Sequence, residues 1–240
     1  MTMQNPASTS RHVIASGAEF SDAEEGARYA LLQRLAPALQ HHIMGKFQSM
    51  GMIAAMMERR LQSATPDLAN IRQDCESLGS VSRTAVNSIV NIMTWIEPKT
   101  AFILNFDAGV KECVGLLSTE FRFKGFVISN EVPEIHTSVS GRGLRSVLSA
   151  ALMALGDQSK VSGTLVIQAQ AMPDRVELSI ELRPKEQAAR NVHVTDYRML
   201  RWRDVETLAM AESVRLTHSS TGVQMVFNIG VGNAGEGLAG

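Results

Sequence analysis

The stretch LAPALQHHIMGKFQSMGM, residues 35–52, sets His41 and His42 side by side in an apolar, methionine-rich segment with helical spacing. Imidazoles in such a place admit four readings: a metal site, a general base, a phosphoryl acceptor, or two ordinary surface residues. Neighbouring positions on a helix diverge by about 100°, so the two rings cannot share one ion as an i, i+4 pair can. A general base needs a nucleophile within reach, and none lies beside either histidine in the sequence. An acceptor must face a partner's active site and present a neutral nitrogen lone pair, which histidine can offer near neutral pH.

Geometry separates the two rings. Apolar residues recur at Leu32, Leu35, Leu39, Ile43, Phe47, Met50, Ala54, Met57 and Leu61, in steps of three and four that share one helical face. His41 falls about 175° from the centre of that stripe and His42 about 85° from it. His41 is therefore the exposed candidate, and His42 a flanking one. Met44, Gln48 and Met52 lie on the His41 side. They read either as an adaptable docking surface for a partner or as a face packed against a second domain or a second subunit.

The helix carrying these residues starts near Ser21, an N-cap followed by Asp22, Glu24 and Glu25 in the first turn. Pro37 removes one backbone donor and predicts a kink or a restart. Arg59 and Arg60 close the helix on its C-terminal dipole. Thr65 and Pro66 read as N-cap and first residue of a second helix reaching Ile96. Leu68, Ile71, Cys75, Leu78, Ser82, Ala85, Ile89, Ile92 and Ile96 give it a coiled-coil-like seam. Val81, Val86, Val90 and Met93 add a second stripe. Two antiparallel helices with such wide stripes cannot cover each other, which predicts a homodimer closing a four-helix bundle.

Beyond Glu97-Pro98 the pattern changes. Short strands are expected at 101–104, 125–128, 163–170, 175–182, 213–218 and 223–229, with helices at 108–121, 143–155 and 204–211. The organisation expected is a flexible tail over 1–20, a helical hairpin over 21–97, an α/β sandwich over 101–230 and a second tail over 231–240. The class is α+β, with helices on one face of a mixed sheet.

Composition narrows the function. A net charge of -1 supplies no field to gather nucleic acid or an anionic membrane. Cys75 and Cys113 lack any disulfide or zinc spacing and suit a reducing cytoplasm. No apolar run is long enough to span a bilayer, and the N-terminus lacks a signal-peptide core. The GxGxxG match at Gly230–Gly235 has only five residues after it, too few for a helix that could hold a pyrophosphate. Gly141-Arg142-Gly143 could hold an anion at a helix start, though cap chemistry explains it equally. Trp202-Arg203-Asp204 reads as a helix start with a packed indole. His136, His193 and His218 are scattered and receive no role.

A helical hairpin followed by an α/β sandwich resembles the core of bacterial sensor histidine kinases. HHIMGKFQSM has the register of that family's phosphoacceptor box, with His41 as the acceptor and Ile43, Phe47 and Met50 continuing the seam. The departures are informative. The helix LRSVLSAALMALGDQS has Ala150 and Ala154 where the family places asparagines that help hold Mg²⁺ and nucleotide, and a methyl group has no lone pair. RPKEQAARNVHV replaces the family's DxGxG loop and contains no glycine. VTDYRMLRWRDV replaces a glycine-rich phosphate loop. His42 stands where the family often has an acidic residue. Together these resemble the bacterial histidine phosphotransferases built on a degenerate kinase body.

That resemblance implies transfer of phosphate between receiver-domain aspartates through His41, with His42, Met44, Gln48 and Met52 meeting the receiver and no nucleotide, cofactor or metal required. The rival expectation is a kinase-like adaptor that binds a response regulator or a kinase without carrying phosphate. A third is an ATP-dependent kinase with divergent nucleotide loops.

Overall fold

The computed structural model describes residues 21–96, 102–185 and 197–229. The expected tails, the Glu97-Pro98 break, His193 and the glycine-rich stretch from Gly230 lie outside the described residues. So does most of the polar loop after residue 185.

The chain opens with α1 (Asp22–Leu61) and α2 (Leu68–Ile96), an antiparallel hairpin. Ser21 caps α1, its hydroxyl accepting from the Glu24 amide at 3.2 Å. Of the kink or restart expected at Pro37, the restart does not occur: α1 runs through it without interruption. The start of α2 also needs correction. Asp67, rather than Thr65, caps it by accepting from the Ala69 and Asn70 amides at 3.0 and 3.2 Å. A carboxylate one residue before the helix reaches its free amides better than a threonine two residues further back.

The hairpin seam is shifted from the expected one. Ile43, Lys46, Met50, Ile53, Met57 and Arg60 are the half-buried positions of α1 towards its tip. Phe47, Ala54 and Leu61 from the expected stripe are exposed. Facing them, Ile71, Asp74, Leu78, Ala85, Ser88, Ile92 and Trp95 form the inward row of α2, while Cys75, Ile89 and Ile96 point out. Polar residues can occupy the seam because they are paired or amphipathic. Arg60 reaches across to Asp74 at 2.9 Å, so it has a partner beyond the helix dipole. Lys46 can lay its aliphatic stem along the seam.

The sandwich follows as β1 (Ile103–Asn105), α3 (Phe106–Phe123), β2 (Phe126–Asn130), β3 (Ser138–Ser140), α4 (Gly141–Gln158), β4 (Gly163–Ala171), β5 (Arg175–Pro184), α5 (Trp202–Ala211), β6 (Arg215–His218) and β7 (Gly222–Asn228). One sheet has the order β2-β4-β5-β7-β6, parallel only between β2 and β4. β1 and β3 form a separate antiparallel pair. β3 escapes a reading by alternation because three residues carry no period. Along β5 and β7, Val176, Leu178, Ile180, Val223, Met225 and Phe227 are buried and alternate with polar residues, so only one face of the sheet is covered. α4 is buried along most of its length, which makes it the centre of the core. Gly125, at φ +85°, makes the turn from α3 into β2 that a side chain would strain.

α1 joins the two regions. Its first half buries Ala27, Ala30, Leu31, Arg34, Leu35 and Leu39, and the same helix packs on α3, α4 and α5. Beyond Leu39 no residue of α1 is buried.

Candidate functional site

His41 stands two residues past the last buried position of α1, and its side is exposed. The same face carries Met44, 48% exposed, Met52, 64% exposed, and the exposed Gln48. Their spacing of three, seven and eleven residues from His41 forms one row, which the sandwich leaves uncovered. His42 is exposed as well, yet it faces elsewhere. It lines a cleft of about 440 Å³ between the hairpin and α3, shared with Asn87, Asn91, Lys111 and Glu112. The two imidazoles therefore border different surroundings, as the helical arithmetic predicts.

Asn91, Trp95 and Glu112 of that cleft belong to a polar network. Arg145 of α4 donates from Nε and Nη2 to the Glu112 carboxylate of α3 at 2.8–3.0 Å. It also donates to Asn91 at 2.7 Å and to Thr94 at 2.6 Å on α2. The indole N–H of Trp95 donates to Glu112 at 2.9 Å. The guanidinium lies between the Trp95 and Phe102 rings, 5.1 and 4.8 Å from their centroids. One side chain thus ties the end of α2 to the sandwich.

A second knot fastens α1. Arg34, 3% exposed, grips both carboxylate oxygens of Asp157 through Nη1 and Nη2, the latter at 3.0 Å. Asp157 also accepts from the Leu200 amide at 3.3 Å and lies 3.5 Å from Lys124, which is bonded to Glu120. Burial alone would lower the Arg34 pKa, but the Asp157 hydrogen bond and charge outweigh it and raise it. Neither knot was anticipated from the sequence. The available signal was a charged residue in phase with an apolar face, Arg34 within LLQRLA and Arg145 within GLRSVL.

Two of the positions where the resemblance expects nucleotide ligands lie within the core. Ala150 and Ala154 both have no exposed surface. Asp157, nearly in line with Ala150 on α4, has its oxygens engaged by Arg34 and Leu200. The part of VTDYRMLRWRDV that is described serves as packing and a cap. Tyr197 meets Tyr29 edge-on at 6.0 Å, and Leu200 is fully buried. Asp204 accepts from the Arg201 amide at 2.9 Å and pairs with Arg198 at 2.7 Å. Burial would raise the Asp204 pKa, but the Arg198 and Arg201 bonds overcome it and hold the carboxyl below its ordinary 3.8.

The remaining sequence candidates are accounted for by packing. The Gly141–Gly143 start is capped by Ser140, which accepts from Gly143 at 3.1 Å. A Cβ on Gly141 would lie 2.1 Å from the Phe102 ring, so that glycine makes room for Phe102. Trp202 stacks on His218 at 4.1 Å. Burial pushes the Cys113 thiol up to about 12, which keeps it protonated and inert. Among the described residues no three His, Cys, Asp or Glu side chains gather into a metal site, and no described helix is long and apolar enough to cross a membrane.

No family model matches the chain, and no curated protein matches it. Solved structures that overlay on it include the Acinetobacter baumannii histidine kinase AdeS, at 14% identity and TM-score 0.41 over 77% of this chain and 98% of that one. A bacterial phosphotransferase overlays at 12% identity and TM-score 0.38, covering 88% of this chain and 98% of its own. The mycobacterial sensor histidine kinase MprB does so at 13% identity and TM-score 0.39, over 54% and 98% of the two chains.

Proposed function

We propose that this protein is a homodimeric histidine phosphotransfer protein of two-component signalling, working without ATP. One observation carries the reading. His41 is exposed midway along a 40-residue helix, on a row with Met44, Gln48 and Met52, while Ala150 and Ala154 are sealed in the core. His41 is open to a partner, while Ala150 and Ala154, at the places of the kinase asparagines, offer neither lone pairs nor exposed surface.

The chemistry is a pair of displacements. A lone-pair nitrogen of His41 attacks the phosphorus of an aspartyl phosphate on a receiver domain. The P–N bond forms as the acyl P–O bond breaks, and the aspartate leaves as a carboxylate. A second receiver's carboxylate then attacks the phosphohistidine and releases the imidazole. The acyl phosphate arrives already activated, so no nucleotide is consumed. The Met44, Gln48 and Met52 row supplies an adaptable apolar contact for the receiver beside the ring. His42, turned to the cleft, contacts the partner's edge.

The test mixes receiver domains charged with a small phosphodonor with the wild type and with His41→Ala, and counts acid-labile phosphate on each. Label should appear on the wild type and fall by about 10³-fold or more in the variant. Label that persists in His41→Ala removes His41 from the role. If no receiver labels the wild type, yet binding is measurable and Met44→Ala/Met52→Ala abolishes it, the protein is the adaptor instead. Micromolar affinity for ATP·Mg²⁺ would overturn both.

A further inference from the structure

A cavity of about 580 Å³ opens where the first turns of α1, the end of α2 and the start of α4 converge, on a different side of the stem from His41. Its size is that of an ordinary small-molecule cleft, and it sits between two structural regions, where such clefts favour forming. Leu32, Leu35, Trp95 and Phe102 contribute an apolar and aromatic wall. Against that wall are two polar groups that the fold leaves unfinished.

The first is Arg145, whose side chain is 7% exposed. Its Nε and Nη2 hydrogens go to Glu112 and Asn91, and one Nη1 hydrogen goes to Thr94. The second Nη1 hydrogen has no acceptor among the described residues. The second group is Ser146, one residue further along α4, which lines the same cavity and whose hydroxyl has no hydrogen-bond partner among the described residues. A buried guanidinium hydrogen and a free hydroxyl beside an aromatic wall are matched by one chemistry. The charge of Arg145 is already balanced by Glu112, and the other cations lining the cavity, Arg28 and Arg142, are paired with Glu24 and Glu212, while Asp22 and Glu25 line it as well, so the matching group is a hydrogen-bond acceptor on an uncharged molecule.

We propose that this cavity is a binding site for a flat, uncharged aromatic molecule bearing one carbonyl acceptor. The ring lies against Trp95 and Phe102, and the carbonyl oxygen takes the free Nη1 hydrogen of Arg145 and the Ser146 hydroxyl. The inference is independent of phosphate transfer through His41.

The experiment titrates the full-length ¹⁵N-labelled protein with 2-acetylnaphthalene and with 2-naphthoate and follows the indole N–H resonances of Trp95 and Trp202. The ketone should shift Trp95 in a saturable way below about 1 mM and leave Trp202 in place. Ser146→Leu, which fills the cavity and removes the hydroxyl, should weaken binding by about tenfold or more. Leu32→Trp, which fills the same space from the hairpin side, should do likewise, guarding against a local effect of one variant on α4. Equal binding by both variants and the wild type overturns the site. Shifts at both indoles, or at neither up to about 5 mM, overturn it too. Tighter binding of naphthoate than of the ketone overturns the assignment of an uncharged ligand.

Discussion

The sandwich and the hairpin are built on opposite terms. In the sandwich, Phe106, Leu117, Leu144, Leu152 and Ile167 have no exposed surface, and each fully buried side chain of that size contributes about 1.5–3 kcal/mol. In α2 the buried residues are Asp74, Ala85 and Ile92, while Val86, Val90 and Met93 are 57%, 60% and 55% exposed. The sandwich is complete within one chain. The hairpin leaves these apolar residues outside its own seam, on the face where the proposed second subunit would pack. The first half of α1 belongs to the sandwich by packing, although it belongs to the hairpin by sequence.

That contrast can be broken first at the junction. Arg34→Ala leaves the buried Asp157 with only the Leu200 amide and Lys124 at 3.5 Å, and should cost about 3–5 kcal/mol of unfolding free energy, read from denaturant melts. A loss under about 1 kcal/mol would mean the first half of α1 is not part of the sandwich's cooperative unit. The double variant Arg34→Met/Asp157→Leu should recover most of the loss. On the outer face of α2, Val90→Lys should leave the melt of the sandwich unchanged and weaken self-association by about 100-fold, measured by sedimentation equilibrium. A wild-type protein that is monomeric at micromolar concentration would end the four-helix-bundle idea outright. The smallest effect is expected at α5. Because Asp204 titrates below its ordinary 3.8 when folded, its contribution is complete above that value and disappears as pH falls through the lowered one. Asp204→Asn should therefore flatten the acid limb of the stability profile and leave the slope between pH 6 and 8 as it was, because Asp204 does not titrate there.

Legibility followed period length. The hairpin, the strands β4, β5 and β7 and the helices α3 and α4 were readable because each holds a 3.6- or 2-residue pattern over many residues. β3 was not, having three residues. The exposure of His41 followed from angle alone. The seam was misread by one position at several places because hydrophobicity marks where a helix could be buried, without saying by which neighbour. Cys75, Ile89 and Ile96 look more like core than Asp74, Ser88 and Trp95, yet the latter are the more buried. Both ion-pair knots are long-range, Arg34 to Asp157 and Arg145 to Glu112, and pairing between distant charges leaves no periodic trace.

α1 can also be regarded as a cantilever. It is clamped by the sandwich as far as Leu39 and extends past that support for about 33 Å to Leu61, at 1.5 Å per residue. A tilt of about 5° at the clamp would swing the tip by about 3 Å but move the backbone at residue 41, about 3 Å from the support, by only some 0.3 Å. In-line displacement at phosphorus tolerates errors of that smaller size and loses rate steeply at the larger. The proposed acceptor ring thus sits near the stillest free part of the helix, leaving the outer turns to bend towards whatever docks on them.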